Sequence, residues 1–211
     1  MLKILIADDH TIVRKGIIQI LLAAFPSAVI EEASTAEELI EKTIKGDWEI
    51  VITDISMPGR SGVEALHQIK LSKPSLPVLI LSMYPEEQYA IRLLKAGASG
   101  YLNKEVAPAQ LIKAIETILW GKKYITSTVA ETIANRLSKD DSKLPHEYLS
   151  NREFEVMKLL TSGKSLSEIS ELLMLSISTI STYRARIFSK MEVNNIAALT
   201  LYVYDHKLNN I

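Results

Sequence analysis

The stretch EIVITD, residues 49–54, is a run of mostly β-branched apolar residues that ends in an aspartate. Apolar residues at nearly every position are typical of a strand buried on both faces of a parallel sheet. Longer amphipathic segments separate it from four similar runs: KILIA from Lys3, VIEEA from Val29, VLILS from Val78 and GYLNK from Gly100. Five strand–helix repeats with short connections predict an α/β fold with a doubly wound, five-stranded parallel sheet.

A different pattern begins after Gly121, where the strand signals stop. One weak helical pattern, Ser127 to about Leu137, is followed by the polar stretch SKDDSK, which is typical of a linker. Later residues show helical periodicity throughout and predict a small all-α domain of four helices. The predicted organisation is a first domain at residues 1–121, a linker with a helix at 122–146 and a helical domain at 147–211.

The helical domain carries clear helix-start signals. Ser150 with Glu153 three residues later forms a capping box, and Ser176 can cap the third helix of the domain. Met174 and Leu175 form the turn between the second and third helices. Two short helices joined by a tight turn make a helix-turn-helix pattern, in which the second helix is the candidate reader of the DNA major groove.

The composition favours a soluble protein. The chain has no cysteine, which excludes disulfides and thiolate metal sites. Its first apolar run is too short for a signal peptide, and no apolar stretch approaches the roughly 20 residues that span a bilayer. With 24 basic and 25 acidic residues, the net charge of −1 neither predicts nor excludes nucleic acid. We expect a cytoplasmic protein without membrane attachment.

Polar residues stand at the carboxyl ends of four predicted strands. Asp8 and Asp9 close the first, Asp54 the third, Ser82 the fourth and Lys104 the fifth. Ligands of doubly wound sheets bind at these ends, so three carboxylates, a hydroxyl and an ammonium should share one pocket. Clustered carboxylates need a cation, and oxygen ligands at an exposed site favour Mg²⁺. The set predicts a carboxylate that accepts a phosphoryl group.

The segments ILIADDH, VITDISMPGRSG, LILSMY and GASGYLNK resemble the signature segments of bacterial response-regulator receiver domains, over about residues 1–121. The resemblance implies a flavodoxin-like, CheY-like fold in which Asp54 is the phosphoacceptor. It also implies that Asp9 and Asp54 ligate Mg²⁺ directly with the Ser56 backbone carbonyl, and that Asp8 acts mainly through water. Met57-Pro58-Gly59 resembles the tight turn of the family.

The same resemblance makes Lys104 the phosphate-contacting lysine and Ser82 and Tyr101 the switch pair. A phosphoryl oxygen would draw the Ser82 hydroxyl toward the site, and the vacated space would let Tyr101 turn inward. That repacking would bias the face formed by the fourth helix, the fifth strand and the fifth helix. We expect Tyr84 to flank the phosphoryl group and to restrict hydrolytic water, and we expect His10 to cap or line the first helix rather than to bind metal.

Charge in the helical domain is unevenly distributed. Residues 147–211 contain seven basic and seven acidic side chains, but the third helix of the domain has Arg184, Arg186 and Lys190 and no acid between Thr179 and Met191. Hydroxyl groups crowd the same stretch. Cationic and hydroxyl side chains suit phosphate oxygens and some base edges, so this helix is the candidate DNA-binding element.

The segment LSNREFEVMKLLTSGKSLSEISELLMLSISTISTYRARIFSKMEV resembles the LuxR-type DNA-binding domain, and the whole chain resembles a NarL/FixJ-type two-component response regulator. The predicted DNA-binding residues are Ser178, Thr179, Ser181, Thr182, Arg184, Ala185, Arg186 and Lys190. The family's groove-facing positions are matched by Thr179, Ser181, Thr182 and Ala185. The three cations are expected to contact the phosphate backbone of the DNA. Family members often have lysine at the positions of Ser178 and Ser181, and histidine at the position of Tyr183. Because this chain lacks those lysines, its DNA binding should depend less steeply on salt than that of a lysine-rich relative.

The leading hypothesis is a transcription regulator controlled by phosphorylation. Its expected partners are a sensor histidine kinase, promoter DNA and a second copy of the chain, with dimers on paired half-sites. The alternative is a receiver-containing adaptor whose helical domain binds protein rather than DNA. An enzyme acting on an outside substrate is not expected, since the sequence has no nucleotide-binding glycine loop and no nucleophile–base pair beyond the self-phosphorylation site.

Overall fold

The computed structural model describes residues 1–57, 62–137 and 144–208, and main-chain structure alone at 135–137. The chain divides into two compact units, Met1–Ser138 and Lys139–Ile211, and each is described by itself. The predicted turn at Met57-Pro58-Gly59 falls largely outside the described residues. Among the residues described, no helix is both long and apolar enough to cross a membrane.

The first unit contains a parallel five-stranded sheet in the order β2-β1-β3-β4-β5. Its strands are β1 (Lys3–Ala7), β2 (Val29–Ala33), β3 (Ile50–Asp54), β4 (Val78–Ser82) and β5 (Gly100–Asn103). Every residue of β3 and β4 is buried, which explains their continuous apolar runs. The edge strand β2 is half exposed and accordingly mixes Val and Ile with Glu.

Helices follow each strand, as the alternating pattern predicts. They are α1 (Thr11–Ala24), α2 (Ala36–Lys45), α3 (Gly62–Ser72), α4 (Glu86–Lys95) and α5 (Ala107–Leu119). One core cluster joins Ile17 and Leu21 of α1, Leu111 and Ile115 of α5, and sheet residues such as Ile52. This layer packs on one face of the sheet, and strand residues outside the cluster, such as Leu5, Val51 and Ile80, are buried as well.

The predicted linker helix is present as α6 (Ser127–Leu137), and it packs against α4 of the first unit. Ahead of it, Tyr124 forms a parallel bridge with Gly100 at the free edge of β5. Val129 of α6 is only 2% exposed. By its contacts, α6 therefore groups with the first unit.

The second unit is all-helical. A short 3-10 helix (Pro145–Tyr148) precedes α7 (Asn151–Thr161), α8 (Leu166–Leu173), α9 (Ile177–Met191) and α10 (Ile196–Asp205). The capping box of Ser150 and Glu153 is present, and Ser176 caps α9. Met174 takes a left-handed conformation in the turn between α8 and α9. These two helices form the predicted helix-turn-helix.

Candidate functional site

The strand order brings the predicted acidic residues together. Ala7 lies opposite Thr53 in the pairing of β1 with β3, so Asp8 comes beside Asp54 at the next position. The Nζ atom of Lys104, in the turn after β5, lies 2.7 Å from Oδ2 of Asp8 and 2.7 Å from Oδ2 of Asp54. All three side chains are at least nine-tenths buried. One cation therefore bridges two buried carboxylates at the carboxyl edge of the sheet.

Burial governs the electrostatics of this pocket. It raises the pKa of Asp54 above its usual range, together with the charge of Asp8 and against the hydrogen bond and charge of Lys104. Burial alone would lower the pKa of Lys104, but the hydrogen bonds and charges of Asp54 and Asp8 raise it. The backbone N–H of Ile55 donates to Oδ1 of Asp54 at 2.6 Å. The Asp54 carboxylate is thus fixed in direction and poorly solvated.

Carboxylate oxygens of Asp8, Asp9 and Asp54, with a ring nitrogen of His10, lie within 4.8 Å of one another and could hold a metal ion. Oδ1 of Asp9 is shielded from solvent and makes no well-formed hydrogen bond, although Nδ1 of His10 lies 2.9 Å from it. A buried carboxylate oxygen without a donor, beside two more carboxylates, fits a hard cation. The His10 side chain is 65% exposed.

Arg14 of α1 supports the acidic loop, the residues Asp8 and Asp9 that follow β1, and the sequence did not reveal this role. Its Nη1 donates to the backbone carbonyl of Asp8 at 2.5 Å, and its Nε donates to Oε2 of Glu32 at 2.7 Å. Arg14 is 9% exposed, so this contact ties α1 and β2 to the start of the acidic loop. The helical pattern gives no signal for it, because Glu32 lies 18 residues away.

On the other side of Asp54, Ser56 is exposed between the buried residues Ile55 and Met57. Gly62, the first residue of α3, donates its backbone N–H to the Ile55 carbonyl at 2.8 Å. A Cβ atom at Gly62 would lie 1.8 Å from the carbonyl oxygen of Asp54, so only glycine allows this approach. The close contact fixes α3 directly against the end of β3.

The predicted switch residues, Ser82 and Tyr101, both hydrogen-bond the backbone of Tyr84, in the loop between β4 and α4. The Tyr84 N–H donates to Oγ of Ser82 at 3.2 Å, and its carbonyl accepts from the Tyr101 hydroxyl at 2.6 Å. Tyr101 is 2% exposed, so its ring lies in the inward position. The Tyr84 ring stacks on Tyr89 of α4, with centroids 4.9 Å apart. The Asn103 amide also donates to the Tyr84 carbonyl, at 3.3 Å, a contact that the sequence did not indicate.

In the second unit, α9 buries Ile180, Ile187 and Met191 and turns its polar residues outward. The predicted DNA-binding residues are exposed (Ser178, Thr182, Ala185, Arg186 and Lys190) or partly exposed (Thr179, Ser181 and Arg184). Ser178, Thr179, Thr182, Tyr183 and Arg186 line a shallow depression on this face. Around the cap, Oγ of Ser176 lies 2.7 Å from the hydroxyls of both Ser178 and Thr179. Four of the predicted residues, Ser178, Thr179, Thr182 and Arg186, therefore share one accessible depression.

Lys190 differs from the other two cations of α9. Its Nζ lies 2.6 Å from Oε2 of Glu153, whose side chain is 3% exposed. Burial alone would raise the pKa of Glu153, but the Lys190 hydrogen bond, with those from Ser150, lowers it. The ion pair ties the end of α9 to the capping box of α7. Because Lys190 neutralises a buried carboxylate, less of its charge is available to an outside phosphate.

Two family models match this chain. The response regulator receiver domain matches residues 4–116, and the luxR family of bacterial regulatory proteins matches residues 147–203. The chain is a response regulator. It belongs to the NarL/FixJ type, which joins a receiver domain to a LuxR-type helix-turn-helix domain.

Relatives of this response regulator match it over nearly its whole length. The response regulator UvrY of Escherichia coli K12 is 35% identical over 211 residues, covering 100% of this chain and 97% of that protein. The response regulator GacA of Pseudomonas syringae pv. syringae is 32% identical, covering 98% and 97%. A structure of RcsB from Salmonella enterica serovar Typhimurium, bound to the rprA promoter with the phosphomimetic BeF3−, gives a TM-score of 0.67 at 30% identity and covers 97% and 99%.

Proposed function

We propose that this response regulator accepts a phosphoryl group on Asp54 from a sensor histidine kinase and in response changes its binding to promoter DNA. The observation that carries the proposal is the buried arrangement of Asp54, Asp8 and Lys104 at the carboxyl edge of the sheet. A carboxylate oxygen of Asp54 attacks the phosphorus atom, and the bond from phosphorus to the donor's imidazole nitrogen breaks. The electron pair of that bond stays on the nitrogen.

Mg²⁺ is the proposed cofactor, held by Asp9 and Asp54 with the Ser56 carbonyl and, through water, by Asp8. The bound ion would neutralise charge on the transferring oxygens. The buried Asp9 Oδ1 atom that lacks a hydrogen bond supports this ligand set. His10 is not included, because oxygen ligands suit Mg²⁺ and its imidazole is mostly exposed.

Lys104 has two roles in the proposal. It holds the Asp8 and Asp54 carboxylates together, and its Nζ contacts the phosphoryl oxygens after transfer. Ser82 would donate its hydroxyl to the same group. Because Ser82 accepts from the Tyr84 N–H and Tyr101 donates to the Tyr84 carbonyl, a shift of Ser82 would reach Tyr101 through the backbone of this loop. Transfer to Asp54 and hydrolysis at Asp54 are the covalent steps in this proposal.

The proposed output is sequence-specific DNA binding by α9, as a homodimer on paired half-sites. The exposed hydroxyls and arginines of α9 support it. RcsB gives further support, since it is solved as a complex with DNA and as two dimers bound to two parallel DNAs. We place the protein in the cytoplasm, where promoter DNA is found.

A receiver adaptor that binds protein is the second candidate. It is favoured by the engagement of Lys190 with Glu153, which leaves Arg184 and Arg186 as the cations of α9 outside this ion pair. The two functions differ in what the helical domain binds, DNA of a particular sequence or another protein. An adaptor would show no sequence preference in a random pool of DNA.

Selection of DNA by the purified protein, with and without beryllofluoride, tests the proposal. We expect one enriched motif with paired half-sites, and stronger enrichment with beryllofluoride and Mg²⁺. Thr182→Ala and Arg184→Ala should weaken retention, whereas Lys164→Ala, an exposed cation outside α9, should not. If no motif emerges and neither substitution on α9 alters retention, the adaptor is the better function.

A further inference from the structure

The segment after residue 121 packs against the part of the first unit that carries the predicted switch residues Ser82 and Tyr101. Its first anchor is Tyr124, whose backbone N–H donates to the Ser99 carbonyl at 2.8 Å and extends the edge beside β5. The Tyr124 hydroxyl donates to Oε1 of Gln110 on α5 at 2.9 Å. Nζ of Lys123 donates to the carbonyl of Leu94, near the end of α4, at 3.2 Å. The segment therefore contacts α4, β5 and α5, the three elements whose face the switch pair is expected to bias.

A second anchor lies at the start of α6. The Thr126 hydroxyl donates to Oε2 of Glu86 at 2.8 Å. Thr126 also accepts from the backbone N–H of Val129 at 3.3 Å, so one hydroxyl caps α6 and joins it to α4. Val129, in the first turn of α6, is buried. The start of α6 is thus fixed both by packing and by a hydrogen bond to the first residue of α4.

Glu86 lies close to the switch along the chain and in space. It is two residues beyond Tyr84, whose backbone N–H donates to Ser82 and whose carbonyl accepts from Tyr101. Only Pro85, whose ring restricts φ, separates the two residues, so a displacement of Tyr84 would have a short path to the first turn of α4. The Glu86 carboxylate is also near enough to contribute to the raised pKa of Tyr101, after burial and the charge of Asp54.

We propose that the hydrogen bond between Thr126 and Glu86 is the contact through which the Ser82–Tyr84–Tyr101 switch acts on α6. This inference rests on the proposed function and adds its regulation. The path has three links: from Ser82 to the Tyr84 backbone, from Tyr84 along the loop to Glu86, and from Glu86 to the Thr126 hydroxyl. Since α6 is the last element of the first unit, it is the part of that unit from which the chain continues to the DNA-binding unit.

A double-mutant cycle tests this coupling. The quantity measured is the ratio of the DNA dissociation constants of the full-length protein without and with beryllofluoride, at constant Mg²⁺ and salt, on the selected DNA. Thr126→Val removes the hydroxyl at nearly constant shape, and Glu86→Ala removes the acceptor but leaves the α6 cap intact. We expect each to lower the ratio by about fivefold or more, and the double variant to lower it no further.

Matched controls separate coupling from helix capping. Thr126→Ser keeps the hydroxyl. Thr132→Val removes a hydroxyl that donates only within α6, to the Thr128 carbonyl. Glu87→Ala removes the neighbouring acid of the same helix turn, whose side chain is exposed. We expect all three to keep a ratio within about twofold of wild type, and thermal melting to show every variant folded.

The outcomes are distinct. Wild-type ratios in both Thr126→Val and Glu86→Ala would overturn the coupling and leave the proposed function standing. A lowered ratio in Thr126→Val alone would assign the effect to the α6 cap and would also overturn it. A ratio of one in the wild-type protein would contradict the proposed function itself.

Discussion

The strand-end pocket of the first unit and the outer face of α9 in the second differ in how they hold charge. In the pocket, one lysine and two carboxylates are almost fully buried, and each is within 2.7 Å of its partner. On α9, most of the predicted contact residues are exposed, and the helix relies on hydroxyls as much as on cations. Buried charges must be paired or bound to a metal, whereas an exposed polar face is compatible with several partners.

This difference decides how far chemistry can be inferred from each region. In the pocket, Asp54 lies beside a second buried carboxylate and a lysine, and few reactions suit that combination of groups. On α9, the same exposed residues suit phosphates, base edges or another protein. Substitutions in the pocket should therefore have large effects on chemistry, whereas substitutions on α9 should have graded effects on affinity.

The largest expected effect is that of Asp54→Asn on phosphorylation. The amide cannot act as the nucleophile, so incorporation of phosphate from a small phosphodonor with Mg²⁺ should fall to background. Intact-protein mass spectrometry measures the added mass. Basal DNA binding should be unchanged, because Asp54 lies in the first unit. Asp47→Asn, an exposed aspartate, is the control. Wild-type levels of phosphate on the Asp54→Asn protein would place the phosphoacceptor elsewhere.

Replacement of Lys104 should show the effect of leaving buried carboxylates without their cation. Removing one partner of a buried ion pair costs about 3–5 kcal/mol, so Lys104→Met should lower the free energy of unfolding of the first unit by that order. Added Mg²⁺ should restore part of it by binding the folded form.

Urea unfolding with and without Mg²⁺ measures both effects. Lys45→Met, which breaks an exposed ion pair with Glu41, should cost less than about 1 kcal/mol. Equal losses for the two lysines would mean that the pocket is not built around Lys104.

The cations of α9 should differ among themselves. Arg184→Ala should weaken DNA binding by about tenfold and reduce the slope of log K against log salt by about 0.9. Lys190→Ala should change the slope less and instead lower the stability of the second unit by about 1–3 kcal/mol, since it leaves the buried Glu153 carboxylate without its cation.

Fluorescence anisotropy over a salt series, together with thermal melting, separates the two behaviours. A slope change for Lys190→Ala as large as that for Arg184→Ala, with unchanged stability, would show that Lys190 contacts DNA.

A smaller effect is expected from pH. Burial raises the pKa of Asp54 above its ordinary value of 3.8. At a pH between 3.8 and the pKa of the folded state, this carboxyl therefore binds more protons in the folded protein than in the unfolded chain. The contribution of this group to stability therefore falls as pH rises through that window. Urea unfolding from about pH 4 to about pH 7 should show that the free energy of unfolding of Asp54→Asn increases relative to that of wild type as pH rises. A difference that stays constant, or shrinks, would contradict the raised pKa.

Much of the fold could be predicted because local rules and tertiary structure agree. The continuous apolar runs of β3 and β4 are buried on both faces, and the Ser150 and Ser176 caps stand where the sequence places them. The docking of residues 122–134 on α4 and β5 could not be predicted. It depends on contacts such as Thr126 with Glu86, 40 residues apart, which leave no periodic pattern in a polar segment.

The convergence of Asp8, Asp54 and Lys104 could be predicted because parallel strands end at one edge. Their support could not. Arg14 reaches the Asp8 carbonyl from α1, and Lys190 pairs with Glu153 across 37 residues. Each of these contacts depends on how helices pack in three dimensions. A charged residue that stabilises a site therefore has the same appearance in sequence as one that binds a partner.

The most direct test of the central claim is the affinity for the selected DNA, measured with and without beryllofluoride for wild type and for Asp54→Asn. We predict that beryllofluoride with Mg²⁺ changes the dissociation constant of wild type by about tenfold and leaves that of Asp54→Asn unchanged. Equal dissociation constants for wild type in the two conditions, or the same change in Asp54→Asn, would contradict control of DNA binding through Asp54.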